Sequence, residues 1–266
     1  MIKQYESGGL ILLKADGIRA EHAFTTRPGG VSKGHLASLN LSFGRGDDPE
    51  NVFENYRRLG EAVGFDTHCA VLSKQTHSDI VYRAEEQDWG SGLYRPALPP
   101  CDALITDVPG TALMVFTADC TPILLHDPVT GAVGAVHAGW RGTAMALAAK
   151  TAAAMCDAYG CRPEDLRAAI GPNIGPCHFE TDADVPDAMY AAFGDGIAPY
   201  IRRAGEKYFV DLKGINAHTL RQAGVTGLDI STDCTACRGD LLWSHRATKG
   251  RWGSQGAVII CGKERL

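Results

Sequence analysis

The stretch Cys120 to Thr143, reading C-T-P-I-L-L-H-D-P-V-T-G-A-V-G-A-V-H-A-G-W-R-G-T, restricts the fold more than any other part of the chain. Two β-rich apolar runs flank Asp127-Pro128-Val129-Thr130-Gly131, whose Asp, Pro and Gly supply turn chemistry, so the segment reads as a β-hairpin. With the turn centred between Pro128 and Val129, Cys120 faces His137 across the ladder. Directly opposed residues of an antiparallel pair have α-carbons roughly 4.5 to 5.5 Å apart and project to one face, so a thiolate and an imidazole can share an ion there. A longer loop or a bulge shifts this register by a residue or two, so the reading fixes proximity rather than geometry.

After His137 the chain passes through Gly139-Trp140-Arg141-Gly142 into an alanine-rich helix expected over Thr143 to Tyr159, which Gly160 ends. The free N–H groups of that helix start, with Arg141, form a candidate anion site beside the Cys/His pair. Upstream, Asp48-Pro49 supplies an N-cap and an N1 proline for a helix carrying Val52, Tyr56, Leu59 and Val63 at helical spacing. Strands are expected within Val71 to Ala84, at Ala112 to Thr117, Leu166 to Ile170, near Leu228 and at Ala257 to Cys261, with helices near Asp184 to Phe193 and Lys213 to Ala223. Three long polar or aromatic stretches, 25–47, 85–100 and 232–253, are the expected functional loops. No repeat, linker or low-complexity tract divides the sequence, so residues 1–266 are read as one domain.

The 266 residues lie near the upper limit of a single core, and 45% hydrophobic with 21% charged residues is ordinary globular usage. A net charge of −5 provides no broad cationic field, so neither nucleic acid nor an anionic membrane is expected as the main partner. An anionic substrate must then be held by a few local groups. The first residues lack the apolar run of a signal peptide, and no stretch is apolar for the roughly 20 residues of a spanning helix. The expected setting is cytoplasmic. Nine cysteines, an odd number without framework spacing, read as reduced thiols, mostly small buried apolar residues.

Zinc favours thiolate and imidazole, and a catalytic site keeps three protein ligands with a fourth position open. His77, in the polar context Gln75-Thr76-His77-Ser78-Asp79, is the candidate third ligand beside Cys120 and His137; the residues alone leave it open between ligand and ordinary polar histidine. Cys234-Thr235-Ala236-Cys237 is the rival metal or redox spacing, but no second C-x-x-C or redox βαβ context accompanies it, so a structural or incidental role is expected. Cys177-His178 and Cys101-Asp102 are neighbours that a strand would point to opposite faces, so neither pair is expected to share a site. Asp119 and Asp102 are alternative groups for orienting a ligand imidazole or acting on a metal-bound water, with Asp119 taken as the catalytic candidate. Arg27, Arg141, Arg246 and Arg251 lie in Gly-, Ser- or Thr-rich loops and have the guanidinium fork that matches phosphate or carboxylate.

The segments F-T-T-R-P-G-G-V-S (24–32), S-L-N-L-S (38–42), Q-T-H (75–77), D-A-L-I-T-D (102–107), T-A-D-C-T-P-I-L-L (117–125), H-A-G-W-R-G-T (137–143) and A-I-G-P-N-I (169–174) run in order along the chain. Together they strongly resemble the laccase-domain family, also named polyphenol oxidase or peptidoglycan editing factor. The resemblance implies an α/β (α+β) fold of mixed β-sheets packed in layers by helices. It also implies a zinc ion on His77, Cys120 and His137, with copper as a possible substitute. The implied activity is that of a purine nucleoside phosphorylase acting on adenosine, inosine and methylthioadenosine, with adenosine deamination as a side activity. Purine nucleoside and phosphate are then the partners, held by candidates Arg27, Asn40, Gln75, Arg141 and Arg246, in a monomer or homodimer. The family's C-terminal pattern is partly kept, as Cys234-Thr235, Ser244-His245-Arg246-Ala247 and Gly250-Arg251, with the second arginine of the pair replaced by Ala247.

Two other chemistries fit parts of the same pattern. Copper-dependent oxidation of phenols is one, although multinuclear copper centres use H-x-H pairs and no two histidines here stand two apart. The other is a hydrolase with Cys120 as nucleophile and His137 as base, since a close thiol and imidazole meet that requirement without metal; the peptidoglycan editing of the family's other name is compatible with it.

Overall fold

In a computed structural model, residues 1–262 are described, and they build two six-stranded mixed sheets, a small three-stranded sheet and flanking helices. The first sheet runs in the order Ile2–Ser7, Leu10–Ala15, His22–Thr25, Gln255–Ile260, Ala112–Thr117, Ala70–Leu72. The second runs Gly227–Ile230, Arg167–Ile170, Thr121–His126, Val133–Ala138, Ala103–Thr106, Val81–Arg83. Alternation along each strand explains the layering. Leu113 and Val115 of the first sheet meet Leu124, Val133 and Ala135 of the second in a shared core. Their neighbours Ala112 and Met114 point the other way, onto Val52, Tyr56, Leu59 and Val63 of the helix Pro49–Val63. On the far side, Ile123, Leu125 and Val136 pack against Leu147, Ala152 and Met155 of the helix Leu147–Tyr159. The result is helix, sheet, sheet, helix, as the layered α/β expectation requires.

The hairpin forms, with its register displaced from expectation. Asp127 N–H donates to Ala132 O at 2.9 Å, the Asp127 carboxylate accepts from Val129 N–H at 2.8 Å, and Gly131 adopts φ +80. The turn therefore centres one residue later, and Pro122 rather than Cys120 faces His137. A displacement by two positions along one strand preserves side-chain parity, so Cys120 still reaches the face that His137 presents.

The expected helix over Thr143 to Tyr159 is two helices. Trp140–Ala144 follows an extended Gly139, and the chain breaks at Met145 and Ala146, the latter at φ +55, before Leu147–Tyr159. Each piece serves a different core: Trp140 and Ala144 pack with Val185, Met189 and Ile215, whereas Leu147 and Ala148 cover the second sheet. Thr143 is interior, its hydroxyl accepting from Asn216 Nδ2 at 2.9 Å. The candidate anion site at a helix start on Thr143 is thus corrected: the helix starts earlier, is five residues long, and Thr143 is buried. No described helix is long and apolar enough to cross a membrane.

Candidate metal centre

Asp102 organises the site. It lies just before the strand Ala103–Thr106, is fully buried, and its backbone O accepts from His137 N–H at 2.7 Å. Its carboxylate collects the backbone N–H groups of Thr76 and His77 at 3.0 Å each, and the Ser78 N–H and hydroxyl at 2.7 Å each. The same carboxylate accepts from His137 Nδ1 at 2.8 Å. One buried anion therefore positions both histidines: His137 by its ring, and His77 by the backbone, where His77 sits at φ +61. A non-glycine residue in that region costs of order 1–3 kcal/mol and persists because the surroundings over-determine it.

With Nδ1 of His137 engaged, its Nε2 is free to face the cavity side. His77, Cys120 and His137 offer donor atoms all within 4.8 Å of one another, with Cys120 Sγ 3.9 Å from His77 Nε2. The two imidazoles stand edge to face, centroids 5.0 Å apart. Gly139 makes this convergence possible: a Cβ there would come to 2.8 Å from His77 Cδ2 and 3.1 Å from Cys120 Sγ. One thiolate and two imidazoles fit a divalent ion of the zinc or copper kind and leave a coordination position for a fourth ligand.

The electrostatics match that donor set. Burial opposes ionisation of Cys120, but the His137 charge and hydrogen bonds from His137 and His77 outweigh it and lower the thiol to about 6. Burial likewise opposes a charged His137, yet the Cys120 thiolate and the Asp102 carboxylate raise it to about 9. For Asp102 burial alone would raise the pKa; hydrogen bonds from His137, Ser78 and Thr76 prevail and hold the carboxyl well below its usual range.

The three donors open into a cavity of about 640 Å³. Its walls carry the aromatic residues Phe43, Tyr56, Phe116, Phe179 and Trp252 and the cationic residues Arg45, Lys74 and Arg246. Arg45 lies over the Trp252 ring at 4.2 Å, and His245 meets the same ring edge-on at 4.2 Å. Thr117 also lines the cavity, and its buried hydroxyl has no protein partner among the described residues.

A family model described as multi-copper polyphenol oxidoreductase laccase matches residues 21–262. The chain belongs to the laccase-domain family. It is 39% identical over 251 residues to a protein named purine nucleoside phosphorylase from Deinococcus radiodurans, covering 94% of this chain and 93% of that one. It is 37% identical to purine nucleoside phosphorylase YlmD of Geobacillus stearothermophilus, covering 88% of each chain. Among solved structures, the Bacillus licheniformis hypothetical protein YfiH superposes with a TM-score of 0.92 at 31% identity, covering 97% of this chain and 98% of that one.

On this laccase-domain scaffold the sequence-named residues divide. His77, Cys120 and His137 come together. Of the two aspartates, Asp102 takes the orienting position; Asp119, at φ +90, lines the cavity but accepts from Thr235 Oγ1 at 2.6 Å and Arg246 N–H at 2.7 Å. Gln75 and Arg246 line the cavity too. Gln75 Oε1 and Nε2 are bonded to the backbone of Phe116, and the Arg246 guanidinium donates to the carbonyls of His178 and Glu180. Arg27, Asn40 and Arg141 are outside its lining. Arg27 bonds the carbonyls of Ala37 and Gly239, Asn40 is buried between Ser42, Asp47 and Ser254, and Arg141 stacks over Trp140. Residue-level reading missed Phe43, Arg45, Lys74, His245 and Trp252. Four of them lie in two of the long loops read as functional, so composition and length marked the loops without selecting the side chains.

Proposed function

We propose that this chain is a zinc-dependent purine nucleoside phosphorylase, acting on adenosine, inosine or methylthioadenosine, as a monomer or homodimer in the cytoplasm. The observation that carries the reading is one cavity joining a three-donor metal centre to aromatic walls and to Arg45, Lys74 and Arg246. Its volume of about 640 Å³ suits a ligand of nucleoside size. Aromatic faces hold a flat purine, and guanidinium and ammonium groups hold a phosphate. The relatives named purine nucleoside phosphorylase support the same reading.

In the reaction a phosphate oxygen bonds to C1′ of the ribose as the bond from C1′ to the base nitrogen breaks. The base leaves with the bonding electron pair and takes up a proton. A bound zinc supplies Lewis acidity toward an oxygen or nitrogen atom of the substrate complex. The protein's own part is to position the two substrates: cations orient phosphate and aromatic rings orient the base. Asp102 keeps the His137 imidazole turned toward the cavity.

The test is a nucleoside panel with and without inorganic phosphate. Free base and ribose 1-phosphate formed only with phosphate are expected, and ammonia release scores the accompanying adenosine deamination. If neither adenosine nor inosine yields base, the assignment is wrong. A thiol-nucleophile hydrolase is the second reading, favoured by a Cys120 thiol lowered to about 6 beside His137. Activity that survives a chelator and is lost to a thiol alkylator would select it. Stoichiometric copper in protein made without added copper would select phenol oxidation instead.

A further inference from the structure

A second group of soft donors lies outside the cavity. Cys177 and His178 fall in a turn after Gly175, and Cys234 and Cys237 in a loop bridged to Asn173. The expectation that neighbouring Cys177 and His178 cannot share a site assumed a strand. In the turn both donor atoms point the same way, with His178 Nδ1 3.3 Å from Cys177 Sγ. His178 Nδ1 is also 3.4 Å from Cys237 Sγ and 3.8 Å from Cys234 Sγ, and Cys177 Sγ is 3.6 Å from Cys237 Sγ. All four donor atoms lie within 4.8 Å of one another.

We propose that Cys177, His178, Cys234 and Cys237 form a structural zinc site, closed by its four protein ligands. Ordinary bond lengths of about 2.3 Å to sulfur and 2.0–2.1 Å to nitrogen in a tetrahedron separate two sulfurs by about 3.8 Å and sulfur from nitrogen by about 3.6 Å. Four of the six separations here lie at 3.3 to 3.8 Å and bracket that geometry, and the other two, from Cys234 Sγ to the other two sulfurs, are within 4.8 Å. Three thiol groups and an imidazole around one point select a soft-to-borderline ion over calcium or magnesium. The surroundings are those of a thiolate site. Gly175 N–H donates to Cys234 Sγ at 3.2 Å, and a Cβ on Gly175 would crowd Cys234 Cβ at 3.3 Å and Cys177 Sγ at 3.4 Å.

The ion would clip two loops that have no strand pairing between them beyond the Asn173 to Cys234 bridge. The clip matters to the cavity because the same loops carry its supports. Thr235, between the two cysteines of the C-x-x-C, donates to Asp119, and the carbonyl of His178 accepts from the Arg246 guanidinium. Phe179, next to His178, is part of the cavity wall.

The experiment is metal analysis of reduced, intact protein made with zinc, for the native chain and the variants Cys237→Ser, Cys177→Ser and Cys120→Ser. Cys177 and Cys237 are exposed, so neither serine opens a core cavity. The native chain should hold two zinc ions, and every variant one. Cobalt titration of chelator-treated protein identifies which site remains: Cys120→Ser should keep most of the thiolate-to-cobalt absorption, and Cys237→Ser should lose most of it. Retention of one zinc in Cys120→Ser together with its loss in Cys237→Ser supports this site even if the cavity centre binds nothing. Native protein with a single zinc that Cys120→Ser abolishes overturns the proposal. So does unchanged zinc content in both Cys177→Ser and Cys237→Ser, or a disulfide among Cys177, Cys234 and Cys237 in freshly purified protein. Should Cys237→Ser fail to fold, Cys177→Ser and the native cobalt titration decide the question alone.

Discussion

The chain gathers soft donors at two places, and their differences are those of construction. At His77, Cys120 and His137 there are three donors, one imidazole is buried, and an Asp102 carboxylate stands behind both histidines. At Cys177, His178, Cys234 and Cys237 there are four donors, mostly exposed, supported by a backbone N–H instead of a carboxylate. Three donors leave a coordination position and open into a large cavity; four close the sphere. A carboxylate behind an imidazole raises its basicity and fixes its tautomer, which suits a centre that must polarise a substrate. On the proposed reading, the first cluster is a centre that acts and the second one that holds.

The sharpest way to break that contrast is to remove a donor from the first cluster. Cys120→Ala and His137→Ala should each lower phosphate-dependent base release by about a hundredfold or more, while the second cluster keeps its metal. Base release measured by chromatography, beside metal analysis, checks both halves. Activity retained within a few fold in both variants would remove the first cluster from the chemistry.

A milder cut tests the carboxylate. Asp102→Asn keeps shape but loses the charge facing His137 Nδ1 and the three N–H groups of 76–78. Metal affinity at the first cluster should fall about ten- to a hundredfold in competition with a chromophoric chelator, and that of the second should not change. Equal losses at both would mean that Asp102 supports the fold and not the metal.

Below that in size is the reactivity of the metal-free thiol. Cys120 is lowered to about 6, whereas burial pushes Cys161 up to about 12. Its thiolate exists above about pH 6 and is lost as pH falls through that value. In chelator-treated protein its alkylation rate should therefore level off above about pH 7, where an ordinary thiol still climbs toward about 8.5. At neutral pH, peptide mapping should find Cys120 modified about tenfold faster than in zinc-loaded protein. A profile still rising past pH 8 would contradict the thiolate–imidazolium pairing.

How much of this was readable in advance follows from the range of the forces involved. The hairpin and the Asp48-capped helix rest on local turn chemistry and periodicity, and both formed, whereas the layered mixed sheets were an expectation from the family resemblance, which the fold bears out. The hairpin slipped because an Asp127 side chain and a left-handed Gly131 lengthened its turn, yet period-two parity kept Cys120 with His137. Helix Leu147–Tyr159 was separated from Trp140–Ala144 by competing cores, which no local pattern encodes. Candidate ligands were legible as residue types in motifs. The choice of Asp102 over Asp119 was not, because it depends on which of two buried carboxylates meets N–H groups from a segment 25 residues away. The four-donor cluster was hidden for a similar reason: a turn at 176–178 reverses the facing that a strand would impose.

The smallest expected effect concerns the cavity wall rather than either cluster. Trp252 carries Arg45 on its face and His245 at its edge, so it can both stack a base and position a cation. An aromatic contact of this kind contributes about 0.5–1.5 kcal/mol, which corresponds to a two- to tenfold change. Trp252→Ala should raise KM for the nucleoside by that factor with kcat nearly intact, and Trp252→Phe should recover most of the loss. A rise confined to KM for phosphate would instead assign Trp252 to holding Arg45. A fall in kcat without change in either KM would place the substrate elsewhere in the cavity. Neither result should alter the metal content of either cluster, because Arg45 and His245, which meet this ring, are donors in neither.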